Sequence, residues 1–143
     1  MRYLGLDLGS KTLGIALSDP GAIIASPYKI IRHNEEYDTL IESIKEIVED
    51  EKVSKIVLGF PKMMNNDIGP KGELSIKFKE KLEKELNIPV ILQDERLTTK
   101  RAEDVLISNN TRRSKRKKVI DKMAAVIILQ SYLDRKERKN EKE

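Results

Sequence analysis

Between Tyr3 and Gly9 the chain alternates strictly, with Leu4, Leu6 and Leu8 on one side and Gly5, Asp7 and Gly9 on the other. This period marks a β-strand with one apolar face. On its second face a carboxylate stands between residues that have no side chain. Ser10-Lys11-Thr12 reads as a turn into a second strand, Leu13 to Ser18, and Asp19-Pro20-Gly21 as a turn into a third, from about Ile23 to Ile31. Two connections this short predict an antiparallel three-strand meander.

The period then changes. Tyr37, Leu40, Ile41, Ile44, Ile47 and Val48 recur at helical spacing, which predicts a helix from Tyr37 to about Asp50. Ile56-Val57-Leu58-Gly59-Phe60, ending at Pro61, reads as a strand inside an α/β layer, because the helical pattern Leu74, Phe78, Leu82 follows it. Lys62 to Gly72 reads as a loop between the two. Asn87-Ile88-Pro89 closes the second helix and leads into a fifth strand, Val90-Ile91-Leu92-Gln93. Thr98 or Thr99 can cap a helix running to about Ser108. Ser114 can cap a last helix whose apolar stripe comprises Val119, Ile120, Met123, Ala124, Ile127, Ile128 and Tyr132. The expected order is βββαβαβαα in one domain over 1–134, with 135–143 a charged, frayed tail lacking apolar anchors.

Composition narrows the chemistry. Cysteine is absent and His33 is the only histidine. Thiolate catalysis, disulfides, Cys-based zinc sites and histidine triads are therefore excluded, and hydrolysis would have to run on carboxylates, hydroxyls, Lys or Arg. The sequence has no signal-peptide pattern and no apolar run of membrane-spanning length, so a cytoplasmic protein is expected. The net charge of +4 is modest, but Arg112, Arg113, Lys115, Arg116, Lys117 and Lys118 concentrate positive charge in one run. Such a run favours phosphate contacts with salt-dependent affinity, or else serves as a solvated, solubilising tract. No aromatic residue interrupts it, so backbone contact is the better reading than base stacking.

Three acidic positions stand out. Burying Asp7 without a partner would be expensive, so it calls for a metal, a phosphate-related role, or turn amides around Ser10. Asp94 and Glu95 end the fifth strand, where open α/β sheets present their chemistry; adjacent strand residues point to opposite faces, so only one can join Asp7. A solvated pair with Arg96 is the plain alternative. Asp121 lies one and two turns from Ala124, Ala125 and Ile128 and so points partly along the helix face meant for the core, or sits at the solvated edge of that face. Carboxylates suit hard Mg²⁺ or Mn²⁺, and two such ions about 4 Å apart could activate water and stabilise the leaving oxygen in phosphodiester hydrolysis. Lys11, in the turn after Asp7, could contact a substrate phosphate, whereas His33 reads as an ordinary loop residue.

Four segments in order resemble the YqgF family: Gly5 to Ala16, Gly59-Phe60-Pro61, Asp94-Glu95-Arg96-Leu97-Thr98-Thr99, and Asp121-Lys122-Met123-Ala124-Ala125 with Leu129 to Leu133. Members are described as Holliday-junction-resolvase-like and as nucleases for the 5′ end of pre-16S rRNA, and the resemblance spans about residues 2–134. It implies an α/β, RNase H-like fold: a five-stranded mixed sheet, with the meander and with helices packed on both faces. It also implies a catalytic, metal-binding trio of Asp7, Glu95 and Asp121. Lys11 matches the lysine of the first motif, and Arg96, Thr98 and Thr99 match the third, all as nucleic-acid contacts. Asn65-Asn66 replaces the family's usual Asp-Gly and Phe60 replaces Leu, which bears on loop contacts and leaves the trio intact.

The implied partners are structured RNA, with precursor 16S rRNA or a pre-ribosome foremost, or branched DNA, bound by a monomer or homodimer and not at a membrane. A DNA junction resolvase is the nearest alternative, and a non-catalytic ribosome-assembly binder the next. The first motif also resembles the phosphate loop of actin-like ATPases and sugar kinases, but those are two-lobed and 143 residues are too few for both lobes.

Overall fold

The computed structural model describes residues 2–9, 11–60, 70–94 and 123–135. Its elements are β1 (Arg2–Leu8), β2 (Thr12–Ser18), β3 (Ala25–Arg32), α1 (Tyr37–Glu51), β4 (Val53–Phe60), α2 (Pro70–Leu86) and β5 (Val90–Asp94), followed by a helix over 123–135. The sheet order is β3-β2-β1-β4-β5. β1–β2 and β2–β3 pair antiparallel, whereas β1–β4 and β4–β5 pair parallel. The expected meander and mixed sheet are both present, with β1 at the centre. The expected helix between about 98 and 108 lies outside the described residues.

Side-chain alternation distributes the core between two layers. Leu4, Leu6, Leu13, Ile15, Ile56 and Leu58 pack under Leu40, Ile41 and Ile44 of α1 and Phe78 and Leu82 of α2. On the opposite face Tyr3, Ala16 and Val57 pack under Ala125, Ile128, Leu129 and Leu133 of the 123–135 helix. Each fully buried leucine or isoleucine contributes on the order of 1.5–3 kcal/mol through area removed from water. β1 and β4 bury residues on both sides because each is covered on both sides, Leu4, Leu6, Ile56 and Leu58 on one and Tyr3 and Val57 on the other.

Several boundaries differ from expectation for identifiable reasons. β4 begins at Val53 rather than Ile56. Ser54 and Lys55 mask its period, yet Lys55 is held in place, with Nζ 5.2 Å from the Tyr3 ring centroid and donating to the Tyr132 hydroxyl at 3.3 Å. α2 begins at Pro70, inside the expected loop, since proline suits the first helical turn where its missing N–H is no loss. The buried stripe of the 123–135 helix is rotated from the expected one: Ala125, Ile128, Leu129 and Leu133 are buried while Met123 is 39% exposed. This helix is apolar around most of its circumference, so period alone does not set its phase. Arg135, assigned above to the tail, is the last described residue of this helix and bonds Gln93 through its guanidinium.

Turns follow side-chain chemistry. Asn87, at φ 54°, takes the left-handed position that ends α2 and donates its N–H to the Glu83 carbonyl. Between β2 and β3, Asp19 Oδ1 accepts from the N–H groups of Ile23 (2.7 Å) and Ile24 (2.8 Å). These amides, Ile24 first and then Ile23, hold the Asp19 carboxyl below its ordinary pKa. A depressed folded-state pKa contributes stability that is present above the unfolded value, about 3.9, and is lost as pH falls through the folded value. The melting-temperature gap between the parent and Asp19→Asn should therefore be steady near neutrality and narrow below about pH 4. A gap independent of pH from 7 to 3 would contradict this role for the carboxylate.

Candidate nuclease site

Asp7 lies one residue before the end of β1, the central strand, on the face covered by the 123–135 helix. Its cross-strand partner is Gly14, and Gly14 in turn pairs with Ile30 of β3. On the other flank Leu6 pairs with Leu58, and the next residue of β4 is Gly59, partner of Gln93. A glycine thus stands on each side of the carboxylate. Asp7 is half-buried, and no hydrogen bond or ion pair to its carboxylate is formed among the described residues. The Gly9 N–H donates to the Thr12 carbonyl at 2.8 Å and so is not free to cap Asp7.

The helix is set against this strand by close approach. A side chain at Gly5 would place its Cβ 2.7 Å from Leu129 Cβ and 2.8 Å from the Ala125 carbonyl, so only glycine lets the helix backbone come this near. A Cβ at Gly14 would lie 3.7 Å from both Ala125 Cβ and Asp7 Cβ. Further along the helix the Tyr132 ring sits 6.1 Å from that of Tyr3. The helix therefore starts near the Asp7 end of β1 and runs back toward the beginning of the strand.

Beside Asp7 the β1–β2 turn is clamped by His33, which has a structural role beyond that of an ordinary loop residue. His33 Nε2 bonds the Gly9 carbonyl at 2.8 Å, the His33 N–H donates to the Lys11 carbonyl at 2.9 Å, and the Glu35 N–H donates to His33 Nδ1 at 3.0 Å. Because Nδ1 accepts, the hydrogen belongs on Nε2, which makes it the donor to Gly9. Nothing in the sequence near His33 signals this, since the contact depends on the register of β3 against β2. Lys11, exposed, lines an open hollow of about 740 Å³ together with Thr12, Arg32, His33, Asn34 and Glu35.

Of the residues expected in the site, Asp7 and Lys11 are described and lie two strand ends apart across one turn. Glu95, Arg96, Thr98, Thr99, Arg112, Arg113, Lys115, Arg116, Lys117, Lys118 and Asp121 lie outside the described residues. Among the described residues no group of three or more His, Cys, Asp or Glu converges to hold a metal, and no helix is long and apolar enough to cross a membrane.

The mixed sheet, with its antiparallel meander, parallel β4 and β5, and helices on both faces, defines an RNase H-like fold with a carboxylate at the end of its central strand. The family model for RuvX, Holliday junction resolvase, matches residues 1–135. The chain belongs to this family, the YqgF/RuvX proteins. A relative from Bacillus subtilis (strain 168), named "Putative pre-16S rRNA nuclease", is 56% identical over 135 residues, covering 94% of this chain and 98% of the relative. One of the same name from Geobacillus sp. (strain WCH70) is 51% identical over 138 residues, covering 96% and 100%. Among solved structures, T. thermophilus RuvC in complex with a Holliday junction substrate superposes with TM-score 0.58 at 13% identity, covering 94% and 95% of the two chains. The fowlpox virus Holliday junction resolvase superposes with TM-score 0.51 at 16% identity, covering 94% and 99%. At such identities the likeness is one of fold.

Proposed function

We propose that this chain is a divalent-metal-dependent phosphodiesterase that processes the 5′ end of pre-16S rRNA. The observation that carries the chemistry is the setting of Asp7: a half-buried carboxylate without a hydrogen-bond partner among the described residues, flanked by glycines at the end of the central strand. A carboxylate so placed is costly to keep unless something binds it. The RNA substrate is taken from the relatives' name, borne by full-length sequences more than half identical to this one.

Glu95 and Asp121 complete the proposed trio. Gln93 is buried on the helix-covered face, bonded to Arg135, and Glu95 follows it by two residues in the sequence. Asp121 lies four residues before Ala125, which packs on Gly5 at the Asp7 end of β1. An oxygen-only ligand set fits Mg²⁺ or Mn²⁺, and two such ions, when bound, would supply water activation and stabilise the leaving oxygen. The chain's own contribution is to fix Asp7 on the central strand of the sheet, paired on both sides, and to keep the space beside it free of side chains. Lys11 would neutralise a phosphate flanking the cut, and Arg96, Thr98, Thr99 and the basic run at 112–118 would hold the backbone further away.

Cleavage of branched DNA is the second reading, favoured by the matching family's description as a Holliday junction resolvase. It would need two sites related by a twofold axis, hence a homodimer. Both readings are tested together by offering the protein a 5′-extended 16S rRNA fragment and a four-way DNA junction with Mn²⁺ or Mg²⁺. Cutting of the RNA alone supports rRNA processing, and symmetric cutting of the junction alone supports the resolvase. Binding without cutting of either would mark a non-catalytic assembly factor.

A further inference from the structure

The row that carries Asp7 continues across the meander to an isoleucine in the wrong place for a core residue. Asp7 pairs with Gly14 and Gly14 with Ile30, so Ile30 shares the face of Asp7. It lies two strand spacings away, about 10 Å. Ile30 is 55% exposed, although the 123–135 helix covers Gly5 and Ala16 and reaches the start of β3, where the Ala25 N–H donates to Gln130 Oε1. Of the other exposed large apolar residues among those described, Ile23 and Ile24 lie in the turn before β3, Tyr28 bonds Glu51 at the end of α1, under the opposite layer, and Met123 is the first described residue of the 123–135 helix.

The next row outward on the same face pairs Thr12 with Arg32. Arg32 is exposed, lines the same open hollow as Lys11, and forms no ion pair among the described residues. Among the described residues lining that hollow, Glu35 is the one acidic side chain against Lys11 and Arg32. The face that carries Asp7 thus presents, past the bare Gly14 and two strands away, an exposed isoleucine with Arg32 two residues further along β3.

We propose that Ile30 and Arg32 form a substrate platform: Ile30 supports the sugar and base of a nucleotide next to the scissile phosphate, and Arg32, with Lys11, takes the adjoining phosphate. The inference rests on the nuclease reading and adds two positioning residues to it. Charge selects the occupant, since a second copy of the chain docking through this face would bring its own Arg32 against these same cations, whereas a nucleic-acid strand brings alternating apolar and anionic groups.

The test is fluorescence anisotropy of a labelled 5′-extended 16S rRNA fragment in EDTA, alongside its cleavage in Mn²⁺, for the parent, Ile30→Ser, Ile30→Leu, Arg32→Gln and Arg32→Lys. Both side chains are exposed, so all variants should melt with the parent. Arg32→Gln should lower the slope of log affinity against log salt by about one, and Arg32→Lys should restore it. Ile30→Ser should weaken binding about five- to tenfold with the slope unchanged, and Ile30→Leu should restore it. If the parent binds and cuts the RNA while Ile30→Ser and Arg32→Gln match it in affinity and slope, the platform is refuted and the nuclease reading stands. A parent that binds no RNA overturns both. If Ile30→Ser changes only the sedimentation of the protein, a second copy occupies the strip and the platform is refuted.

Discussion

Asp7→Asn is expected to abolish metal-dependent cleavage, by at least about a hundredfold, while leaving the fold intact. Loss of groups that merely orient metal ligands typically costs 10- to 100-fold, and Asp7 is proposed to be a ligand itself. The substitution is nearly isosteric, and the carboxylate forms no hydrogen bond or ion pair among the described residues that the amide would forfeit. In the metal-free protein the variant should be as stable as the parent or slightly more so, because a half-buried charge is removed. The order should reverse when metal is added. A ligand at a hundred times its dissociation constant stabilises the folded state by about 2.7 kcal/mol, and the variant should lose most of that gain. Thermal melts with and without Mn²⁺, beside the cleavage assay, check both parts; equal metal-induced shifts in the two proteins would contradict the assignment.

Gly5→Val should have the largest effect on stability. Its Cβ would meet Leu129 Cβ at 2.7 Å and the Ala125 carbonyl at 2.8 Å, and neither of these is the far end of a flexible side chain. The 123–135 helix would have to lift off β1, at a cost of about 1–3 kcal/mol or more. For a chain of this size that corresponds to a fall in melting temperature of roughly 3–12 °C. Activity should fall with it, because the same helix packs Ala125 against the strand that carries Asp7. Gly14→Ala separates the two effects. Its Cβ would make only 3.7 Å contacts with Asp7 and Ala125, so the melt should change little while the added methyl narrows the space beside the carboxylate. Wild-type-like melting of Gly5→Val would mean that the helix is not seated on β1 by this close approach.

The sequence was most informative where one period or one residue settles the local structure. The Leu4–Leu6–Leu8 alternation fixed which face Asp7 takes, and Asn87 marked the end of α2 because asparagine tolerates the left-handed conformation it adopts there. It was least informative where a tertiary partner decides. Lys55 looks foreign to a strand until Tyr3 and Tyr132 are seen around it. The phase of the 123–135 helix depends on the glycines beneath Ala125 and Leu129, which belong to another part of the chain. His33 and Ile30 acquire meaning only through the β2–β3 register, which places one on the Gly9 carbonyl and the other in line with Asp7. Pro70 shows a local signal outweighed by its neighbours: a good first-turn residue, it falls in the stretch Lys62 to Gly72, whose Asn65-Asn66 and Gly69-Pro70 pairs read as loop.

The central claim is that Asp7, Glu95 and Asp121 jointly bind divalent metal. Titration of Mn²⁺ into the parent, Asp7→Asn, Glu95→Gln and Asp121→Asn, read by electron paramagnetic resonance of the free ion, tests it most directly. The account predicts up to two ions bound per parent chain and weakened binding in every variant, most severely in Asp7→Asn. Equal Mn²⁺ binding by the parent and Asp7→Asn would contradict it.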